Sequence, residues 1–279
     1  MTAPDLGRGI GFLGGGNMGR ALIAGLLRAG THPALIRVIE SHQATAQALA
    51  ADFGVETSAD ANAIGSRIDT LVLAVKPQDM ARALQPLRAL LERERPLVIS
   101  VAAGLSAQQL QHWCGAVVPV IRAMPNRPAL EGAGATGLFA PAEVATTLRE
   151  RAAAILGAAG IVVWVDDESL MDVVTAVSGS GPAYFFRFAE ALAAAGTAAG
   201  LSRAAATELA RATLQGAGRM AEPGADLAAL RESVTSKGGT TAAALASFSD
   251  QDLERVVAAA VSAAVRRGRE LASQAAAGG

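Results

Sequence analysis

Cysteine is nearly absent from this chain, and the single thiol, Cys114, excludes an internal disulfide framework and any cysteine-rich zinc site. Such usage fits a reducing compartment, so a cytoplasmic protein is expected. Lysine is almost as scarce: of 24 basic residues only Lys76 and Lys237 are lysine, and both fall inside motifs. With a formal net charge of -1 and only 4% aromatic residues, no basic surface interleaved with aromatics is available for nucleic acid or an anionic membrane. Long apolar runs are missing too. The stretch from Tyr184 to Leu201 is interrupted by Arg187 and Glu190, and that from Val256 to Val265 is too short to span a bilayer. No basic segment followed by a long apolar one precedes Ile10, so no secretory signal is expected. Histidine is limited to His32, His42 and His112, all in the first half of the chain, which disfavours a histidine–carboxylate site further on.

What is present is a chain of 279 residues, 51% hydrophobic and 18% charged, the composition of a globular protein with one large or two modest domains. Short apolar runs rich in β-branched residues alternate with helical patterns, the signature of βαβ units and a parallel sheet. Strands are expected near 9–13, 36–40, 70–75, 97–102, 117–122, 135–139 and 161–165, with helices such as 18–29 and 43–53 between them. After Val165 the pattern is helical only, with helices expected near 167–177, 182–199, 203–220, 227–234 and 241–271. This places a domain boundary between residues 165 and 166. The helices of 166–279 carry small apolar residues on more than one face, and so few residues cannot cover them alone, so an obligate oligomer with interleaved helices is expected.

Gly14-Gly15-Gly16-Asn17-Met18-Gly19 supplies G-x-G-x-x-G directly after the first strand and at the mouth of a helix. There the glycines permit a tight turn, close approach to a pyrophosphate and close helix–strand packing, so dinucleotide binding is expected of a Rossmann-type domain. About 20 residues on, Glu40 ends the second strand, where a carboxylate accepts bonds from the adenosine ribose hydroxyls and favours NADH. It is equally readable as a solvated strand-end charge, and Ser41, His42 and Arg37 stand near enough to offset it if it points away. Ala74-Val75-Lys76-Pro77, then Val101, Ala102 and Ala103, then Asn126 follow successive strands and line the same carboxyl edge, where ligands of open α/β sheets bind. Asn126 is a candidate polar contact near the nicotinamide.

In the helical part, Thr235-Ser236-Lys237-Gly238-Gly239-Thr240-Thr241 interrupts a background of Ala, Leu and Arg. Paired glycines before a new helix can turn backbone N–H groups and a positive dipole end toward one point, a geometry suited to a carboxylate or phosphate. Together with Ser178-Gly179-Ser180-Gly181-Pro182-Ala183-Tyr184 and the motifs above, in this order and spacing, the chain resembles pyrroline-5-carboxylate reductase from end to end. The resemblance implies an N-terminal Rossmann domain binding NADPH or NADH, without a metal, and an all-α C-terminal domain that forms a homodimer, or a ring of such dimers, with the substrate bound where the domains meet. It further implies that Gly11, Phe12, Leu13 and the Gly14–Gly19 turn, together with Asn62 and Ala74–Pro77, contact the cofactor. By the same resemblance Ser236, Gly238, Gly239, Thr240 and Thr241 contact 1-pyrroline-5-carboxylate, and Ser178–Gly181 shape the pocket beside the nicotinamide. Lys237 stands where many members have proline, Arg127 where threonine is common, and Ala225 where a glutamate is usual, with Asp226 adjacent.

The chemistry so implied is reduction of a cyclic imine to L-proline. A protonated imine is already electrophilic, so alignment at about 3–3.5 Å supplies much of the barrier reduction and no strong base is needed. Thr241 is the candidate hydrogen-bond partner of the ring nitrogen, the Gly238-Gly239 turn that of the carboxylate, and Lys237 a cation that draws the substrate in or simply points to solvent. Rival readings are a hydroxyacid dehydrogenase, which commonly places a lysine or aspartate on the long helix where 182–200 offers only Arg187 and Glu190, and a nucleotide sensor, which needs no second polar pocket.

Overall fold

The first-turn glycines and the apolar runs around them build a doubly wound sheet in the computed structural model, which describes residues 4, 6–65, 67–222 and 224–277. Among these residues one eight-stranded sheet is formed by β1 (Ile10–Leu13), β2 (Ile36–Ile39), β3 (Glu56–Ser58), β4 (Thr70–Leu73), β5 (Leu97–Ser100), β6 (Val120–Met124), β7 (Gly134–Phe139) and β8 (Gly160–Trp164), in the order β3-β2-β1-β4-β5-β6-β7-β8. Strand β1 is central: Leu13 lies opposite Ile39 of β2 and Leu73 of β4, all parallel, so three strand ends finish level with one another. The order reverses between β1 and β4, which creates the crevice where such sheets bind ligands.

Both faces are covered, so the central strands are apolar on both sides. Phe12 and Val72 pack in one layer with Leu22, Ile23 and Leu26 of α1 (Asn17–Arg28), Leu49 of α2 (Gln43–Phe53) and, further along the chain, Ile155. Leu13, Leu71 and Leu73 face the other layer, with Met80 and Leu84 of α3 (Met80–Leu84), Leu91 of α4 (Arg88–Glu94) and Leu110 of α5 (Ala107–Cys114). Ile155 belongs to α6 (Thr146–Gly157).

Two departures from the sequence expectation have simple causes. Strand β3 was not anticipated because Glu56-Thr57-Ser58 is short, polar and at the sheet edge. Strands β6 and β7 are antiparallel rather than parallel. Their connection holds only the 3-10 turn Arg127–Glu131, too little chain for a crossover.

By internal contacts the chain forms two compact units, Met1–Gly179 with Ala264–Gly279, and Ser180–Ala263. The first unit leaves the sheet through a 3-10 turn (Glu168–Leu170), α7 (Met171–Val174) and a π-helical turn (Thr175–Gly179), where a single helix over 167–177 was expected. The second holds α8 (Gly181–Ala198), α9 (Arg203–Met220), α10 (Leu227–Ser233), α11 (Thr240–Asp250) and the start of α12 (Leu253–Ala277). Instead of one helix over 241–271 there are two, divided at Asp252, whose φ of 56° is left-handed and ends the i→i+4 ladder. Within this unit Ser202 caps α9 by accepting from the Ala205 N–H at 3.2 Å, and the rings of Phe188 and Phe248 lie 5.9 Å apart. Among the described residues no helix is long and apolar enough to cross a membrane.

Candidate functional site

The glycine turn after β1 has the shape its sequence demands. Gly14 is left-handed (φ 99°), and its N–H donates to the Ile39 carbonyl at 2.8 Å, folding the chain across the end of β2. A Cβ on Gly14 would lie 2.9 Å from the Ala74 backbone, and one on Gly19 2.6 Å from the Gly14 carbonyl oxygen, so both positions require glycine. Nothing lies within 4 Å of the corresponding point on Gly16. Gly16 is also the N-cap of α1, with no side-chain cap and no acidic residue in the first turn. Its first backbone N–H groups are thus left for an anion at the positive end of the helix, and the cradle fits a dinucleotide pyrophosphate. Asn17 and Met18 open that helix, whereas Gly11, Phe12 and Leu13 lie buried within β1 and carry the turn to its place.

At the end of β2, Glu40 does not point away. Its Oε2 accepts the Gly15 N–H at 2.9 Å and its Oε1 the His42 N–H at 2.8 Å, while its own N–H donates to the Ser58 carbonyl. Ser41 is exposed beside it. His42 caps α2, its Nδ1 accepting from the Thr45 N–H.

Along the same edge, Ala74 and Val75 are half-buried, Lys76 is exposed, and Pro77 opens a 3-10 turn after the extended Lys76. Lys76 forms no ion pair among the described residues. Ala102 is buried and donates to the Ser100 hydroxyl, Val101 is half-buried, and Ala103 is exposed before Gly104 turns the chain (φ 76°). Asn62 lies in the 3-10 turn Ala61–Ile64, but its side chain falls outside the described residues. Asn126, expected beside the nicotinamide, is 7% exposed and has both polar atoms engaged by protein: Oδ1 accepts the Ala135 N–H at 2.9 Å and Nδ2 donates to the Ser178 carbonyl at 3.0 Å. It joins the end of β6 to the start of β7 and to the π turn.

That turn is held tightly. The Ser178 hydroxyl donates to the Val174 carbonyl at 2.9 Å, and a Cβ on Gly179 would lie 3.0 Å from Cε of Met124. Ser178 and Gly179 close the first unit; Ser180 and Gly181 begin the second, with Gly181 buried at the start of α8.

In the second unit the Thr235–Thr241 loop forms as its glycines suggest. Gly238 is left-handed (φ 71°), the Gly239 N–H donates to the Ser236 carbonyl at 3.0 Å, and Gly239 caps α11 without a side-chain bond or an acid in the first turn. The helix therefore opens with uncapped N–H groups and a positive dipole end at Thr240 and Thr241. Thr235 is turned inward, its hydroxyl donating to the Arg231 carbonyl at 2.6 Å. Thr241 is half-buried, and its hydroxyl has no hydrogen-bond partner among the described residues. Ser236 and Lys237 are exposed. Asp226 caps α10, its Oδ1 accepting from the Ala228 N–H at 2.9 Å.

One polar cluster escaped the sequence reading. Arg122 Nη1 donates to Glu168 Oε1 at 2.8 Å, and the same oxygen accepts the Ala107 N–H at 2.7 Å, linking β6, the start of α5 and the chain leading to α7. An arginine inside the apolar run Val120–Met124 was the available signal. Cys114 is fully buried, and burial pushes its thiol up to about 12, so it is a core group and not a nucleophile. Among the described residues no three or more His, Cys, Asp or Glu side chains gather as metal ligands.

Residues 9–104 match the family described as NADP oxidoreductase coenzyme F420-dependent, and residues 168–271 match the family described as Pyrroline-5-carboxylate reductase dimerisation. The chain is 43% identical over 267 residues to a pyrroline-5-carboxylate reductase of Pseudomonas aeruginosa, covering 95% of this chain and 97% of that one. Among solved structures it is similar to a pyrroline-5-carboxylate reductase from Coxiella burnetii, with a TM-score of 0.90, 38% identity, and 94% and 97% of the two chains covered. It is also similar to a Plasmodium falciparum pyrroline carboxylate reductase with NADP bound, with a TM-score of 0.78, 27% identity, and 98% and 100% covered.

Proposed function

The chain belongs to the pyrroline-5-carboxylate reductase family, and on that footing we propose that it reduces the C=N bond of 1-pyrroline-5-carboxylate to give L-proline, using NADPH or NADH. The nicotinamide coenzyme, when bound, supplies the hydride. Its pyrophosphate is held by the Gly14–Gly19 turn and the uncapped start of α1, its ribose by Glu40 with Ser41, and its remaining length by Ala74–Pro77, Val101–Ala103 and Asn62.

The observation that carries the substrate assignment is the bare N-terminus of α11 beside the Gly238-Gly239 turn, with neither a capping side chain nor an acid to compete for an anion. The substrate is an anion at its carboxylate and a cation at its protonated ring nitrogen. Backbone N–H groups at Gly238 and Thr240 bind the carboxylate, Ser236 flanks it, and the Thr241 hydroxyl accepts a hydrogen bond from the protonated ring nitrogen and orients it. Ser178–Gly181 form the wall beside the reacting ring. Because the iminium carbon is already electron-poor, these residues need to orient and exclude water rather than abstract a proton.

Residues 1–165 act in this reading as the coenzyme domain and residues 166–279 as the substrate and dimerisation domain. The enzyme works as a homodimer in the cytoplasm, and dimers associate further into a ring. An assay of the purified protein with 1-pyrroline-5-carboxylate and each reduced coenzyme, followed at the nicotinamide absorbance, should show substrate-dependent oxidation and L-proline. Coenzyme binding without turnover on that imine would overturn the assignment.

A further inference from the structure

We propose that Glu40 makes this chain select NADH over NADPH. The proposal rests on the reductase reading above and concerns the end of β2, the point at which dinucleotide-binding βαβ units meet the adenosine ribose.

The sequence left Glu40 free to be a solvated charge, but the structure turns it inward. Its two oxygens accept backbone N–H groups on opposite sides, Gly15 at 2.9 Å and His42 at 2.8 Å. These bonds pin the carboxylate against the second glycine of the phosphate turn and oppose its swinging out to solvent. A carboxylate has about four acceptor positions, so each oxygen keeps one for an incoming donor. The two ribose hydroxyls are such donors. A 2′-phosphate in their place offers only acceptors and brings about 1.5 to 2 negative charges at neutral pH.

Tolerance of that phosphate would require a nearby cation, and the cations the sequence places here are engaged elsewhere. Arg37 pairs with Glu56 through Nε at 3.2 Å and donates to the Arg67 carbonyl. Arg20 pairs with Asp52 and lies over the Phe53 ring at 4.7 Å. The His42 Nδ1 faces the start of its own helix, accepting from the Thr45 N–H, which leaves the neutral Ser41 hydroxyl as the side chain beside the carboxylate. The pinned charge therefore faces an incoming phosphate unscreened by a partner, at a separation well inside the Debye length of about 8 Å in physiological salt.

Calorimetric titration of the purified protein with adenosine 5′-monophosphate and with adenosine 2′,5′-bisphosphate isolates this subsite from turnover. The unmodified protein should bind the monophosphate roughly tenfold or more tightly. Glu40→Gln keeps an acceptor for the Gly15 N–H and removes the charge, so the gap should close by about tenfold, and Glu40→Ser should bind the two fragments about equally. The ratio of kcat/KM for NADH and NADPH should move in parallel. Equal or tighter binding of the bisphosphate by the unmodified protein, or a fragment ratio that Glu40→Gln leaves unmoved, overturns the proposal. A protein that prefers the monophosphate yet oxidises neither coenzyme with 1-pyrroline-5-carboxylate would refute the reductase reading while leaving the ribose selectivity in place.

Discussion

Thr241 carries its proposed role through what it lacks. Thr235, Thr175 and Ser178 all bond to carbonyls of their own helical turns, whereas the half-buried Thr241 hydroxyl has no partner among the described residues. Half-buried and committed to no carbonyl, it remains free to bond a ligand. Thr241→Ala should accordingly lower kcat by roughly tenfold or more while leaving the NADH dissociation constant within about twofold. Unchanged steady-state kinetics would remove Thr241 from the mechanism. At this scale the glycines were legible in the sequence, because Gly14 and Gly238 take a left-handed φ within their turns and Gly19 meets the carbonyl of Gly14, demands set within a few residues. The direction of Glu40 and the engagement of Asn126 were not, since each depends on backbone groups far along the chain, Gly15 for one and Ala135 and Ser178 for the other.

Among the elements, the π turn Thr175–Gly179 shows most clearly how local pattern and tertiary demand part ways. Its residues read as ordinary helix, yet the segment widens where Ser178 offers its carbonyl to Asn126 and Gly179 sits against Met124. A π turn is less favourable than α-helix by itself and is kept where side chains outside the helix hold it. Removing the strut, as in Asn126→Ala, leaves the Ala135 N–H and Ser178 carbonyl without that partner and should cost about 1–3 kcal/mol in denaturant unfolding. If Asn126 also positions the Ser178–Gly181 wall, KM for the imine should rise more than KM for the coenzyme. A variant as stable as the parent, with both constants unchanged, would show that the bonds are incidental. The division of α11 from α12 at Asp252 is of the same kind: the alanine-rich sequence permits helix throughout, and a left-handed residue decides where it stops.

At the scale of the whole molecule, the two units differ in how well they cover their own apolar residues. The sheet unit buries Phe12, Leu22, Ile23 and Leu71 completely, but the helical unit leaves Phe185 65%, Phe186 60% and Leu209 58% exposed. A cavity of about 730 Å³ runs between α8 and α9, lined by Phe186, Ala189, Ala193, Thr207, Ala210 and Leu214 among others. Apolar surface of this extent is rare on a monomer, and these helices lie within residues 168–271, the segment matched to a dimerisation family. Phe186→Glu should therefore shift the protein toward monomer in sedimentation velocity and lower its thermal midpoint by several degrees, about 4 °C or more. A species of unchanged mass and stability would place the subunit contact elsewhere.

Alternation of apolar runs, the glycine spacing and the Thr235–Thr241 loop determined the fold class, the coenzyme class and the anion-binding turn, because each depends on φ/ψ freedom and periodicity within a few residues. The antiparallel pairing of β6 with β7, the short edge strand β3, the inward turn of Glu40 and the half-buried Arg122–Glu168 pair were decided only in three dimensions. Each of these joins groups separated by many residues, whose meeting is set by the packing of the sheet and its helices rather than by the preferences of any one segment.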